Sequence, residues 1–294
     1  MTGRHLLLPS LGVGLAGLIF GVFWIPTRYL EANGFGGGLA SLFIFGVAAV
    51  ALLPVAPLRW RSLAINWRPI LLGGVFTGLG FALYANALLL TDVVRTLLLF
   101  YLTPVWGTIF GVLMLKERLT GNRIAALLLG LSGSLVILGF EQGLPLPHNL
   151  GDWMALGGGL AWAYGCLELA RAKSTWVWEA TLSMTVGATV SSALIIALLT
   201  LDGPLPPPPA WDPKVFAAGL IFAIAVNLPA LVLTMWGAGL LSPGRVGILL
   251  CGEIAFGIFT AVWLTDEPFG GAEILGALLI IGAVAAEMAT KPPR

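Results

Sequence analysis

The chain has 294 residues, of which 58% are apolar and only 10% charged, with a net charge of +1. A soluble domain of this length carries about 25% charged residues, so composition excludes a soluble globular protein. Two cysteines in apolar stretches, Cys166 and Cys251, suggest neither a disulfide framework nor a zinc site, and no cofactor or metal is expected.

From the N-terminus the chain reads as ten apolar spans, at about 10–30, 36–56, 69–91, 94–115, 122–140, 150–171, 177–200, 213–237, 243–264 and 271–289. Each approaches the roughly 20 residues that cross a hydrocarbon core of about 30 Å. The first span is longer than a signal-peptide apolar region and lacks a small-residue cleavage site, so it reads as a retained helix. The breaks carry turn chemistry, as in NGFGGG (33–38), PLRWRS (57–62), DGPLPPPPAWDP (202–213) and SPGR (242–245). Continuous apolar runs rather than ten-residue alternation predict helices, not barrel strands. The expected class is an all-α integral membrane protein.

Lys and Arg set the orientation. With the N-terminus cytoplasmic, twelve of the fifteen lie inside, and only Arg28, Arg95 and Lys214 lie outside. Both termini are therefore expected in the cytoplasm, at a bacterial inner membrane, with loop 202–213 outside.

Sliding the chain on itself by 150 residues lays RTLLLFYLTPVWGTIFGVLMLKERLTG (95–121) over RVGILLCGEIAFGIFTAVWLTDEPFGG (245–271). Arg95 meets Arg245, Gly107 meets Gly257, Glu117 meets Glu267 and Gly121 meets Gly271. Thr77 meets Asn227 in the same register. Residues 1–145 and 146–294 are thus expected to be two five-helix repeats. Five is odd, so the second copy is inverted, and a central cavity is expected between the halves.

Five plus five helices, with Pro104 and Glu117 in the first half and Glu253 and Glu267 in the second, resemble the drug/metabolite transporter superfamily of EamA type. TRYLEANG (27–34) and AWAYGCLELARAK (161–173) resemble the ends of that family's first helix in each half. One departure is Ile254, which stands where Pro104 has its counterpart, so no proline enforces a break in the ninth span. The aromatic amino acid exporters are the subfamily it most resembles.

The resemblance implies that spans 1, 3, 4, 6, 8 and 9 surround a cavity. Candidates for binding substrate are Trp24, Thr77 and Tyr84, Tyr101 and Thr108, Trp162, Asn227 and Thr234, and Glu253. Thr77 with Tyr84, and Asn227 with Thr234, are seven apart and share helix faces. Aromatic faces can stack on a ring or hold an ammonium. The expected substrate is an amino acid, aromatic or otherwise bulky and apolar, exported by alternating access. The alternatives are threonine- or homoserine-type amino acids, or drug-like cations, with proton antiport.

Glu253 is the sharpest residue, because a carboxyl inside a span is costly and functional by default. It reads as a proton-coupling group or ammonium partner, or as an interhelical hydrogen-bonding group. Thr77, Thr108 and Thr234 could instead bond their own helix backbones. Trp153, Trp176, Trp178, Trp211 and Trp263 read as interfacial belt residues. Glu117 and Glu267 read as helix-end punctuation that caps the next helix, Glu168 as a partner of Arg171, and Glu287 as reaching the headgroups. Pro26, Pro104 and Pro229 read as hinges or static kinks, and the 39 glycines mainly as packing.

Enzyme readings find no support. No GxxxxGK[ST] loop, HExxH or deep acidic cluster is present. The expected partners are a small molecule and membrane lipid, not nucleic acid. The cavity needs only a monomer, and the oligomeric state stays open.

Overall fold

The computed structural model describes residues 4–36, 38–91, 93–138, 146–172, 176–201, 206–264 and 270–289. All regular structure among them is helical. In chain order the helices are α1 (Arg4–Phe20), α2 (Trp24–Ala32), α3 (Leu39–Leu52), α4 (Val55–Leu58), α5 (Trp60–Ile65), α6 (Trp67–Leu90), α7 (Val93–Phe100) and α8 (Thr103–Leu115). They continue as α9 (Gly121–Leu138), α10 (Leu150–Arg171), α11 (Val177–Leu199), α12 (Pro213–Ile221), a π-helical turn Phe222–Asn227, α13 (Leu228–Ala238), α14 (Pro243–Leu250), α15 (Gly252–Leu264) and α16 (Gly271–Ala289).

Among the described residues, six helical stretches are long and apolar enough to cross a membrane: Leu6–Ala32, Leu39–Leu58, Trp67–Leu88, Arg95–Leu115, Val177–Leu199 and Pro213–Ala238. Gly121–Ile137 and Ile274–Ala289 are shorter apolar helices. The 22-residue α10 also has the length, but it carries Asp152, Glu168 and Arg171. The outer surface suits lipid, since Trp153, Trp178, Trp211 and Trp263 are all exposed.

Several helices break inside their apolar runs, and proline accounts for three of the interruptions. A proline removes one backbone donor and crowds the carbonyl four residues earlier. Pro26 disturbs the Val22 carbonyl, and the chain turns at Gly21–Phe23 between α1 and α2, where the Ile25 amide takes the Val22 carbonyl instead. Pro104 leaves the Phe100 carbonyl without an amide. The Thr103 hydroxyl donates to it at 2.5 Å, and the helix breaks at Tyr101–Leu102. Pro229 follows the π-helical turn, where the ladder is rearranged by one residue. A fourth break, at Cys251 between α14 and α15, has no proline. Gly252 follows it, and the Cys251 amide is shared between the Gly247 and Ile248 carbonyls.

The breaks and ends fall in register. α7 and α14 begin at Val93 and Pro243 and end at Phe100 and Leu250, each pair 150 residues apart. α9 and α16 begin at Gly121 and Gly271, with the same separation.

Close approach between helices depends on glycine. α6 packs on α10 with Gly73 and Gly80 facing Gly165 and Gly158, and on α11 with Gly74 and Gly78 facing Ser183 and Gly187. A Cβ at Gly165 would lie 2.6 Å from the Thr77 backbone nitrogen, and one at Gly78 would lie 2.4 Å from the Met184 carbonyl oxygen. In lipid, apolar burial gives helices little reason to associate, so such van der Waals contact carries more of the packing.

α8 ends on Lys116 in the left-handed conformation (φ 56°), with the Glu117 amide reaching back to the Gly111 carbonyl. A left-handed residue at this position stops the helix. The expected capping role for Glu117 is corrected here: Thr120 caps α9 by accepting from the Arg123 amide, and the Glu117 carboxylate pairs with the Arg123 side chain. Glu267 lies outside the described residues.

Gly165→Val should lower unfolding stability by about 1–3 kcal/mol through overpacking against backbone. Gly14→Ala, where the added methyl meets nothing within 4 Å, should not. Thermal unfolding of detergent-purified variants, followed by tryptophan fluorescence, checks the contrast.

Candidate functional site

Where the helices break, aromatic side chains converge. Phe20 precedes the α1–α2 break, Phe100, Tyr101 and Thr103 surround the α7–α8 break, and Gly247, Leu250 and Glu253 surround the α14–α15 break. With Phe81 and Tyr84 from α6 and Trp162 from α10, these residues line one cavity. Phe81 is its hub. Its ring meets Trp162 edge-on at 4.8 Å between centroids and Phe20 at 5.6 Å. Tyr84 lies over Phe100 at 4.4 Å, and Phe100 meets Tyr101 at 5.8 Å.

The Tyr101 hydroxyl faces the Glu253 carboxyl, and Tyr84 lies within electrostatic reach of it. Glu253 is the one charged side chain that lines the cavity, and it stands in the first turn of α15. A helix N-terminus favours a negative group there. Gly21 makes this arrangement possible. A Cβ at that position would lie 2.9 Å from both the Glu253 carbonyl and the Gly257 amide nitrogen, so the break in one helix backs directly on the break in another.

The cavity volume is about 20 Å³. That is room for about one or two water-sized molecules, against roughly 300–1,000 Å³ for a typical ligand pocket. The walls are drawn together in this conformation, and a bulky ligand requires them to part.

Of the nine residues singled out from sequence, the structure brings four to this cavity: Tyr84, Tyr101, Trp162 and Glu253. The other five lie elsewhere. Trp24 sits beyond the break in α2, where its indole donates to the Thr260 hydroxyl at 3.3 Å and the Arg28 guanidinium stacks on it. Thr77 donates to the Gly73 carbonyl and packs against α10, and Thr234 donates to the Ala230 carbonyl. Thr108 is buried against Gly244 of α14. Asn227 ends the π-helical turn, only 1% exposed, and its amide has no hydrogen-bond partner among the described residues. The sequence reading passed over Phe81, Phe100, Thr103, Gly247 and Leu250. Phe81 lies three residues before Tyr84 on the same face, and an aromatic at that spacing was the available signal.

Glu168 pairs with Arg171 at 2.9 Å, as expected. Glu287 does not reach the headgroups. It is 0% exposed and is held inside the bundle by Arg123 and Arg245. Among the described residues, no group of three or more His, Cys, Asp or Glu is placed to hold a metal ion.

Comparisons with known proteins agree with this architecture. Residues 8–139 match the model of the EamA-like transporter family. A solved crystal structure superposes with a TM-score of 0.68 at 19% identity, over 95% of each chain, and so shares the fold. No curated protein matches.

Trp162, 2% exposed, is the largest fully packed side chain of the cavity wall. Trp162→Ala should reduce stability by about 3–5 kcal/mol, whereas Trp24→Ala, at a half-buried site, should cost clearly less. Chemical denaturation of the two variants side by side tests this ranking.

Proposed function

We propose that the chain, whose residues 8–139 match the EamA-like transporter family, is a transporter of that family within the drug/metabolite transporter superfamily, and that it exports amino acids with aromatic or other bulky apolar side chains. A general membrane transport role and a multi-helix membrane location follow from the family and from the apolar helices. Family membership sets the chain among transporters rather than enzymes.

The observation that carries the finer reading is the cavity itself. Aromatic rings enclose it, Tyr84, Tyr101 and Thr103 supply hydroxyls, and Glu253 supplies one carboxyl. Rings stack on an aromatic side chain, and an ammonium group is drawn both to ring faces and to the carboxyl. The first turns of α8 and α15 also open here, and helix N-termini attract a carboxylate.

The proposed architecture is ten spans in two inverted repeats, 1–145 and 146–294. Helix ends and breaks recur at a separation of 150 residues. Packing supports exchange of the halves too: α6 on α10 has its counterpart in α13 on α1, and α6 on α11 in the π-helical turn on α3. Alternating access by exchange of two half-shapes fits this layout. The proposed orientation has both termini cytoplasmic at an inner membrane, a reading that the Lys and Arg distribution supports.

A second reading, export of an apolar organic cation, is favoured by one specific feature: among the described residues the cavity wall carries a carboxyl and no basic side chain.

Uptake into proteoliposomes of labelled aromatic, aliphatic, hydroxyl and charged amino acids, and of a lipophilic ammonium, distinguishes the two. Saturable flux of tryptophan or phenylalanine, reduced at least tenfold by Glu253→Gln, is the expected result. Flux of the ammonium alone would support the cation reading. Flux no greater than in empty liposomes for every solute, with a control carrier active, would overturn both.

A further inference from the structure

Two buried charge clusters lie at opposite ends of the bundle, outside the cavity. They sit at the two ends of one helical span, since Arg95 precedes α7's second turn and Glu117 follows α8.

At the first end, the Arg95 guanidinium grips Asp152 at the start of α10. Nη2 donates to Oδ2 at 2.6 Å and Nε donates to both carboxylate oxygens. Asp152 also accepts from the Thr91 hydroxyl at 2.7 Å and from the His148 amide at 2.9 Å. Both its oxygens are occupied, and its side chain is 0% exposed. This cluster fastens the end of α6 and the start of α7 to the start of α10.

At the other end, on the face where α1 begins, Arg245 stands 150 residues beyond Arg95 at the start of α14. It donates to the Ser10 hydroxyl of α1 at 3.1 Å and lies 4.0 Å from Glu287 of α16. Arg123 of α9 donates to the Ser242 hydroxyl at 2.7 Å and reaches Glu287 at 3.4 Å. Its tight 2.6 Å pair is with Glu117, just before its own helix. Exchange of the halves turns the α7–α10 seam into the α14–α1 seam. The two clusters therefore hold equivalent seams at opposite faces, with the cavity between them.

They are not equally strong. The α10 cluster crosses its seam with a short charge-assisted pair, the strongest kind of hydrogen bond available here. On the α1 face, Arg123 crosses its seams to the neutral Ser242 hydroxyl at 2.7 Å and, at the longer distance of 3.4 Å, to Glu287. Two charged atoms of this cluster, Glu287 Oε2 and Arg123 Nε, are buried without a hydrogen-bond partner among the described residues. Unsatisfied buried charge weakens a closed state.

We propose that these clusters are the two latches of the carrier, Arg95–Asp152 on the face opposite α1's start and Arg123–Arg245–Glu287 on the face bearing it. The second latch is the weaker, so the closed structure opens first toward the face bearing the N-terminus. The inference rests on the alternating-access reading above.

The test is side-specific labelling of a cavity cysteine. Cys166 and Cys251 are replaced by alanine, and Leu250→Cys, on the cavity wall, is labelled with a membrane-impermeant maleimide from each face of oriented proteoliposomes. In this parent, labelling from the N-terminal face should be several-fold faster. Asp152→Asn should raise the opposite-face rate at least fivefold, and Glu287→Gln should raise the N-terminal-face rate. Thr91→Val, which removes the hydroxyl's bonds to Asp152 and Asn149 but no charge, should act like Asp152→Asn but less. It keeps the test open if Asp152→Asn does not fold to a monodisperse protein. Faster parental labelling from the opposite face, or an opposite-face rate unmoved by both Asp152→Asn and Thr91→Val, would overturn the proposal. If substrate moves the labelling between faces while the latch variants do not, the latches fail and alternating access stands. Equal rates from both faces in every variant would remove alternating access itself.

Discussion

The constraint on which this structure depends is that a helix in lipid cannot leave its backbone groups unpaired. A break is tolerated only where protein covers it, and this chain gathers its breaks together. The α1–α2 turn rests, through Gly21, on the first turn of α15, and the α7–α8 break is covered by α6, α10 and α14. The Thr103 hydroxyl takes the Phe100 carbonyl that Pro104 cannot serve. Where three helices break side by side, polar backbone comes within reach of the bundle interior. The cavity lies there, where an apolar wall meets the broken ends of the helices.

Glycine sets the other limit. Facing glycines bring α6 against α10 and α11 until backbone touches backbone, and Gly107, Gly244 and Gly247 do the same between α8 and α14. Such contacts leave little space between helices, so the cavity contracts to about 20 Å³ when the seams are shut. The same contacts are short-ranged. Dispersion falls steeply over a gap of half to one ångström, so a seam held by glycines alone parts readily once it begins to move. On the latch proposal, charge pairs at its ends then govern whether it moves.

Much of the architecture was legible in the sequence, because long apolar runs and proline act locally. The all-helical class, the interruptions at Pro26, Pro104 and Pro229, and the recurrence of helix ends at 150 residues all follow from such local signals. The break at Cys251 was not, since no proline marks it. The candidate site was half legible. Tyr84, Tyr101, Trp162 and Glu253 meet at the cavity, but Thr77 and Thr234 satisfy themselves on their own helices, as short hydroxyl side chains do. Asn227 was assigned to the cavity by its seven-residue spacing from Thr234 and its register with Thr77, but it stands buried at the end of the π-helical turn, away from the cavity wall. Glu287 was misjudged for another reason. Its nearness to the end of the chain suggested the headgroups, while its partners, Arg123 and Arg245, come from elements remote in sequence. Long-range charge pairing leaves no periodic trace.

The contracted cavity has a consequence for how a substrate would act. A ligand shifts a conformational equilibrium only by its difference in affinity between the states. A bulky substrate has almost no affinity for a cavity of about 20 Å³, so it favours any state in which the walls have parted. The closed form is the one in which the aromatic rings satisfy one another. Phe81 against Trp162 and Tyr84 against Phe100 are contacts that a substrate ring would have to replace. On the alternating-access reading, selectivity therefore lies in that exchange. A ring that stacks as well as the side chains it displaces can hold the walls apart, whereas a small polar solute offers the rings nothing in return.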